Sequence, residues 1–155
     1  NTRAFEKSIR KLAAVADRSD ASLITSMGRI AVRSINFNTP RKTGTLRAGW
    51  RPAWLGLQMN GQPSSRPLGP SRKGDAIAAG TFTDNRRSLS PSISFENNTV
   101  AVKGTKTYRY GRRLNFDPAS KHKGFLDRGT DEAARKITRK AEREYRKLIR
   151  RANRG

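Results

Sequence analysis

The residues from Thr39 to Trp50, TPRKTGTLRAGW, separate two regions with different hydrophobic patterns. Apolar residues recur at three- and four-residue steps before this segment, as in a helix, and alternate after it, as in a strand. Pro40 fixes its own φ and disfavours the α conformation of Thr39, so a helix should end here. Gly44 can adopt backbone conformations that other residues reach only with strain. The segment therefore predicts a junction between a helix and a sheet.

The region before the junction predicts one long amphipathic helix over about residues 4–35. Its apolar positions share one face of a helix. They are Phe5, Ile9, Leu12, Ala16, Leu23, Met27 and Ile30. The polar cluster Asp17–Asp20 could divide this helix, but the apolar phase continues across it and favours one continuous element.

The region after the junction predicts a strand from Leu46 to Trp54. Trp50 and Trp54 would face one way, either in the core or at a subunit interface. Pro52 cannot donate to a strand ladder, so the strand should bend or lie at a sheet edge.

The middle of the chain predicts the rest of a small sheet, over about residues 46–104. Residues 56–74 are rich in Gly, Pro and Ser and predict a long loop or an arm that becomes ordered against a partner. Residues 75–84 alternate as in a strand, although a short helix is the other possibility. Residues 92–96 and 99–103 flank Asn97-Asn98 and predict a hairpin.

The C-terminal region predicts a basic helix over about residues 128–152 with a narrow apolar stripe. Its cations would either form a solvated face or contact phosphates or an acidic protein surface. The candidate contacts are Arg135, Arg139, Lys140, Arg143, Arg146, Lys147 and Arg150. Together these patterns predict one α+β domain over residues 1–155: a small, mostly antiparallel sheet packed by two long helices.

The composition points to an anionic partner. The chain has 34 Lys and Arg against 12 Asp and Glu, a formal net charge of +22. Such a surplus repels itself unless nucleic acid or acidic protein lies nearby. The chain has no cysteine, which excludes disulfides, thiolate catalysis and cysteine–zinc sites. The single histidine, His122, has no partner ligands in sequence, so we expect no metal, no cofactor and no enzymatic activity. No apolar run is long enough to predict a membrane span.

Three segments, in this order, resemble the tail-completion and neck protein family of long-tailed bacteriophages. The first is the long helix followed by Thr39–Arg47. The second is the Val100–Gly104 strand leading into Tyr108–Gly111, where Arg112 and Arg113 stand near the position of an acid that is usual in the family. The third is Gly124–Gly129, which opens the last helix. The motif residues are Pro40, Thr43, Gly44, Leu46, Tyr108, Gly111, Phe125 and Leu126.

The resemblance implies a structural virion protein that forms a homo-oligomeric ring, expected to be a hexamer. Such a ring completes the tail, joins it to the head connector and contacts the connector or stopper protein and the tail tube. It is assembled in the bacterial host cytoplasm, and genomic DNA passes through its channel. Candidate interface residues are Trp50, Trp54, Arg66, Pro67 and Arg72. The alternative function is nonspecific nucleic-acid binding through phosphate contacts.

Overall fold

A computed structural model of the chain describes residues 21–41, 44–71, 74–88 and 91–152. Helix α1 covers 21–38 within these residues, and two short helices follow it: α2 (Thr45–Ala48) and α3 (Arg51–Gly56). The strands are β1 (Gly69–Pro70), β2 (Ala76–Ala78), β3 (Gly80–Asp84), β4 (Ile93–Asn97), β5 (Val100–Lys103) and β6 (Lys106–Arg109). The described part ends with α4 (Tyr110–Phe116) and α5 (Phe125–Ala152).

The fold is α+β, as the sequence predicts, with long helices toward both ends of the chain. Four strands form an antiparallel sheet in the order β1-β2-β5-β6, and β3 and β4 form a separate antiparallel pair. The main core cluster lies between α1, the end of α3 and the β3–β4 pair. Its buried members are Val32, Ala53, Leu57 and Met59.

Helix α1 ends just before Pro40, as the sequence predicts, although it continues to residue 38 rather than 35. The predicted helical residues 4–20 lie outside the described part of the chain. Val32 is fully buried. A Cβ atom at Gly28 would lie 3.1 Å from Leu57 Cδ2. The helix therefore packs closely against the residues that follow α3.

The predicted strand from Leu46 to Trp54 is wrong, because this region forms the short helices α2 and α3. Pro52 lies in the first turn of α3. A backbone N–H at this position would have no acceptor within the helix, so proline loses no helical hydrogen bond there. Leu46, Trp50, Ala53 and Leu57 are all buried, and their spacing also suits a helical path.

The predicted hairpin around Asn97-Asn98 is also wrong, although both of its strands exist. Strand β4 pairs with β3 along its length, whereas β5 pairs with β2 and β6. Asn97 Nδ2 donates to the Leu46 carbonyl oxygen at 2.6 Å, and its Oδ1 accepts from the Thr99 N–H at 3.1 Å. These contacts fix the turn against α2, and the chain passes there from one sheet to the other.

The strand predicted over residues 75–84 forms as two strands, β2 and β3, which belong to different sheets. Within the described part of residues 56–74, β1 is a two-residue strand that pairs with β2. The other described residues between α3 and β1 form turns and irregular backbone. The C-terminal helix begins at Phe125, three residues before its predicted start.

Candidate interface for an anionic partner

The three segments that carry the sequence resemblance meet at one junction. A Cβ atom at Gly111 would lie 3.2 Å from Leu46 Cδ1 and 3.9 Å from Phe125 Cζ. Leu46 and Phe125 are each 2% exposed. Pro40 and Tyr108 line a hollow of about 520 Å³ together with Leu46. Residues far apart in the chain therefore form one packed unit.

The TPRKTGTLRAGW segment holds the C-terminal end of α1. Thr39 Oγ1 donates to the Ile35 carbonyl oxygen at 2.8 Å and accepts a hydrogen bond from Trp50 Nε1 at 3.0 Å. Arg47 Nε donates to the Thr39 carbonyl oxygen, and its Nη2 donates to the Phe37 carbonyl oxygen, both at 2.9 Å. A cation at this position complements the negative end of the helix dipole.

Gly44 has the backbone conformation that the sequence predicts, with φ of 71°. A Cβ atom there would lie 2.8 Å from Ser64 Oγ. Gly44 therefore allows the segment 63–66 to approach α2. The neighbouring motif residue Thr43 lies outside the described residues.

Asn115 of α4 holds the start of α5. It is 2% exposed. Its Oδ1 accepts from the Leu126 N–H at 2.8 Å, and its main-chain carbonyl oxygen accepts from the Gly124 N–H at 2.9 Å. Asn115 thus satisfies an N–H group of the first turn that has no intrahelical acceptor. Because Asn115 lies ten residues before α5, on another helix, no local capping pattern in the sequence indicates this role.

Helices α1 and α5 cross at Gly129. A Cβ atom at this position would lie 2.8 Å from Ile35 Cα, so only glycine permits the observed approach of the two backbones. Asn38 Nδ2 donates to Glu132 Oε2 at 2.9 Å beside the crossing. The crossing fixes the rotation of α5 about its axis and thereby determines which side chains face outward.

The outward face of α5 carries a stripe of arginines. They are Arg135, Arg139, Arg143, Arg146 and Arg150, which follow one another at three- and four-residue steps and are all exposed. This spacing places them along one side of a helix. From first to last they extend about 22 Å at 1.5 Å per residue. We call these five residues the arginine stripe.

The lysines of the same helix are placed differently. Lys136 forms an ion pair with Glu132, whereas Lys140 and Lys147 both pair with Glu144, at 3.0 and 3.1 Å. Hydrogen bonds from these lysines lower the pKa of both glutamates below the usual value. Within the described residues, no ion pair involves the arginine stripe. The arginines of the stripe thus have no carboxylate partner within the described residues, whereas the predicted contacts Lys140 and Lys147 share the single negative charge of Glu144.

Two exposed apolar side chains lie one turn apart on the C-terminal half of α5. Tyr145 is 56% exposed and Ile149 is 60% exposed. Both precede an arginine of the stripe by one residue. They provide an apolar border to the surface that carries the arginine stripe and the exposed Glu142.

The candidate subunit-interface residues fall in different environments. Trp50 is 6% exposed and packs edge-on against Phe95, with ring centroids 6.1 Å apart, so it belongs to the core and leaves little surface for a neighbour. Trp54 is half-buried and donates to the Asn60 carbonyl oxygen. Arg66 and Pro67 line an open hollow of about 450 Å³. Arg72 lies outside the described residues.

No protein-family model, curated protein or solved structure matches the chain. Within the described residues, no group of three His, Asp or Glu side chains is placed to hold a metal ion. None of the described helices combines the length and the apolar character that crossing a membrane requires.

Proposed function

We propose that this chain is a structural, non-enzymatic protein of the neck of a long-tailed bacteriophage. In this proposal it forms a homo-oligomeric ring, a hexamer, that completes the tail and joins it to the head connector. The ring is assembled in the host cytoplasm and remains in the virion. Its direct partners are copies of itself, the connector or stopper protein and the tail tube.

The observation that carries this proposal is the junction of Leu46, Gly111 and Phe125. The resemblance to neck proteins depends on three short segments whose order, rather than length, is distinctive. These segments pack on one another in this chain. We expect such packing if the three segments together define the fold of a family. Three chance matches would have no reason to contact one another.

The arginine stripe supports a position next to a large anionic surface. In a ring, repeated copies of α5 would concentrate cations that need compensation by channel DNA or by an acidic face of the adjoining ring. Exposed apolar side chains away from the stripe add to the case for neighbours. Phe37 and Leu55 are 67% and 66% exposed.

Charge reversal of the stripe tests this proposal. In the phage that encodes the chain, the combined variant Arg139→Glu, Arg143→Glu, Arg146→Glu and Arg150→Glu should assemble heads and tails that do not join. A matched control reverses four exposed cations elsewhere: Arg33, Arg87, Lys121 and Lys123. Circular dichroism of both purified variants checks that the fold is kept. Normal infectious titre from the stripe variant would overturn the proposal.

The second candidate function is nonspecific nucleic-acid binding outside a virion. The regular spacing of unpaired arginines along about 22 Å of helix favours it, because such a row can follow a phosphate backbone. A salt titration of DNA affinity with the isolated chain separates the two functions. Tight binding with a steep salt dependence favours this candidate, and weak binding by the isolated chain favours the neck protein.

A further inference from the structure

Strand β6 is an edge of the four-stranded sheet. It pairs with β5 through a two-residue turn at Gly104-Thr105, with Lys103 opposite Lys106 and Ala101 opposite Tyr108. In such a hairpin the two residues that flank the turn form a hydrogen-bonded pair. Hydrogen-bonded and non-hydrogen-bonded pairs then alternate along the two strands. The Tyr110 N–H donates to the Thr99 carbonyl oxygen at 3.0 Å, which fits this alternation, because Thr99 and Tyr110 fall on a hydrogen-bonded pair. The N–H and C=O groups of Thr107 and the N–H group of Arg109 therefore point to the free side of β6, whereas the Arg109 carbonyl oxygen belongs to the N-cap of α4.

An open hollow of about 690 Å³ lies beside this edge. It is lined by Tyr108, Arg109, Arg112, Arg113 and Phe116. Phe116 is 62% exposed, and the Arg113 guanidinium lies 4.8 Å from the centroid of the Tyr108 ring. The hollow therefore combines aromatic surface with cations next to unpaired strand groups.

We propose that the β6 edge binds an extended acidic segment of a partner protein by strand addition. The main chain of the segment would pair with the N–H and C=O groups of Thr107 and with the N–H group of Arg109, as in other complexes where a peptide extends a sheet. Its carboxylates would meet Arg109 and Arg112. One of its apolar side chains would lie in the hollow against Phe116.

Charge selects this partner over a second copy of the chain. Around the edge, Lys103, Lys106, Arg109 and Arg112 are all exposed. The described strands of the chain contain only Asp84 and Glu96 as acidic residues, one in β3 and one in β4, and Asp84 forms an ion pair with Arg86. Within the described residues, another copy therefore offers this edge no strand with several carboxylates.

The edge also favours a peptide over a nucleic acid. A strand edge presents alternating donors and acceptors at the spacing of a polypeptide main chain, which nucleic acid does not match. This surface is separate from the arginine stripe. The inference therefore goes beyond the proposed neck function and does not depend on it.

The test uses the full chain and a fluorescein-labelled eight-residue peptide that alternates Glu and Val. Fluorescence anisotropy measures its affinity, and NMR amide exchange reports on individual N–H groups. We expect binding to slow exchange at Thr107 and Arg109. Methylation of alternate peptide nitrogens should abolish this protection.

Two double variants separate the site from the general charge of the protein. Arg109→Glu with Arg112→Glu should weaken peptide binding by at least about tenfold, the effect of losing close charge partners. Arg33→Glu with Arg87→Glu makes the same change of net charge away from the edge and should weaken it much less.

The proposal is overturned if both double variants bind equally, or if an alternating Lys–Val peptide binds as well as the acidic one. It is also overturned if the peptide does not bind. An eight-nucleotide single strand that competes for the hollow while Thr107 and Arg109 continue to exchange would assign the surface to nucleic acid instead.

Discussion

The indole Nε1 of Trp50 donates a hydrogen bond to Thr39 Oγ1 at 3.0 Å, and both residues are buried. The same hydroxyl donates to the Ile35 carbonyl oxygen. One oxygen atom thus connects the end of α1 to the start of α3. This contact explains why a threonine precedes Pro40 and why a tryptophan closes the segment.

Thr39→Val keeps the shape of the side chain but removes this oxygen. The buried Trp50 N–H then has no acceptor, so we expect the free energy of unfolding to fall by about 1–3 kcal/mol. Urea denaturation followed by tryptophan fluorescence measures the change. Thr81→Val, on the exposed face of β3, is the matched control and should change stability by less than about 0.5 kcal/mol. Equal effects of the two substitutions would contradict this role of Thr39.

Gly129→Ala tests the helix crossing. Alanine is intrinsically better than glycine in a helix by about 1 kcal/mol. Here its Cβ would meet the Ile35 backbone, so we expect a net loss of stability of about 1–3 kcal/mol from overpacking. The exposed neighbour Thr130→Ala serves as a control for helix propensity. A thermal midpoint raised by Gly129→Ala would show that α1 and α5 do not approach as closely as described.

Asp84 and Arg86 give a prediction for pH dependence. Hydrogen bonds from Arg86 lower the pKa of Asp84 from 3.8 to about 2, and Arg86 also donates to Thr25 Oγ1 of α1 at 2.6 Å. A depressed carboxyl pKa stabilises the fold above the unfolded-state value, and this contribution is lost as the pH falls through the folded-state value. Asp84→Asn should therefore lower the melting temperature slightly at neutral pH, with the difference from the parent chain vanishing near pH 2. A difference that does not depend on pH would contradict this origin.

The different environments of the α5 cations predict different salt dependences for DNA binding. The triple variant Arg139→Gln, Arg143→Gln and Arg146→Gln should reduce the slope of log affinity against log salt by about 0.9 for each phosphate that the variant no longer neutralises. The triple variant Lys136→Gln, Lys140→Gln and Lys147→Gln makes the same change of formal charge. Its effect should be smaller, because these lysines pair with Glu132 and Glu144. Equal slopes for the two variants would show that the arginine stripe has no special role.

The parts of the fold that depend on local sequence could be predicted. Pro40 ends α1 in sequence and in structure, and Gly44 takes its positive φ. The long apolar period of α5 predicted a helix whose observed start, Phe125, lies three residues earlier. In each case a few neighbouring residues suffice to favour the conformation.

The errors arose where distant contacts decide the structure. Leu46, Ala48 and Trp50 alternate as in a strand, but contacts with Asn97 and Thr39 hold them in the short helix α2 and in the turn that leads to α3. Pro52 was a usable signal for the first turn of a helix, but the alternating apolar residues before it favoured a strand. Similarly, the sequence predicted β4 and β5 as strands, but which strands they pair with depends on β2, β3 and β6.

The candidate site shows the same division. A basic helix was evident from the sequence, and the four-residue spacings of Glu132 with Lys136 and of Lys140 with Glu144 were usable signals for its paired lysines. The free edge of β6 could not be inferred, because it depends on the strand order of the whole sheet.

Negative-stain microscopy of lysates from the encoding phage without this gene tests the proposed function most directly. If the chain is a neck protein that completes the tail, these lysates should contain filled heads lying apart from finished or overlong tails. Supply of the gene in trans should restore whole particles. Whole, normal particles without the gene would contradict the proposal and favour nucleic-acid binding outside the virion.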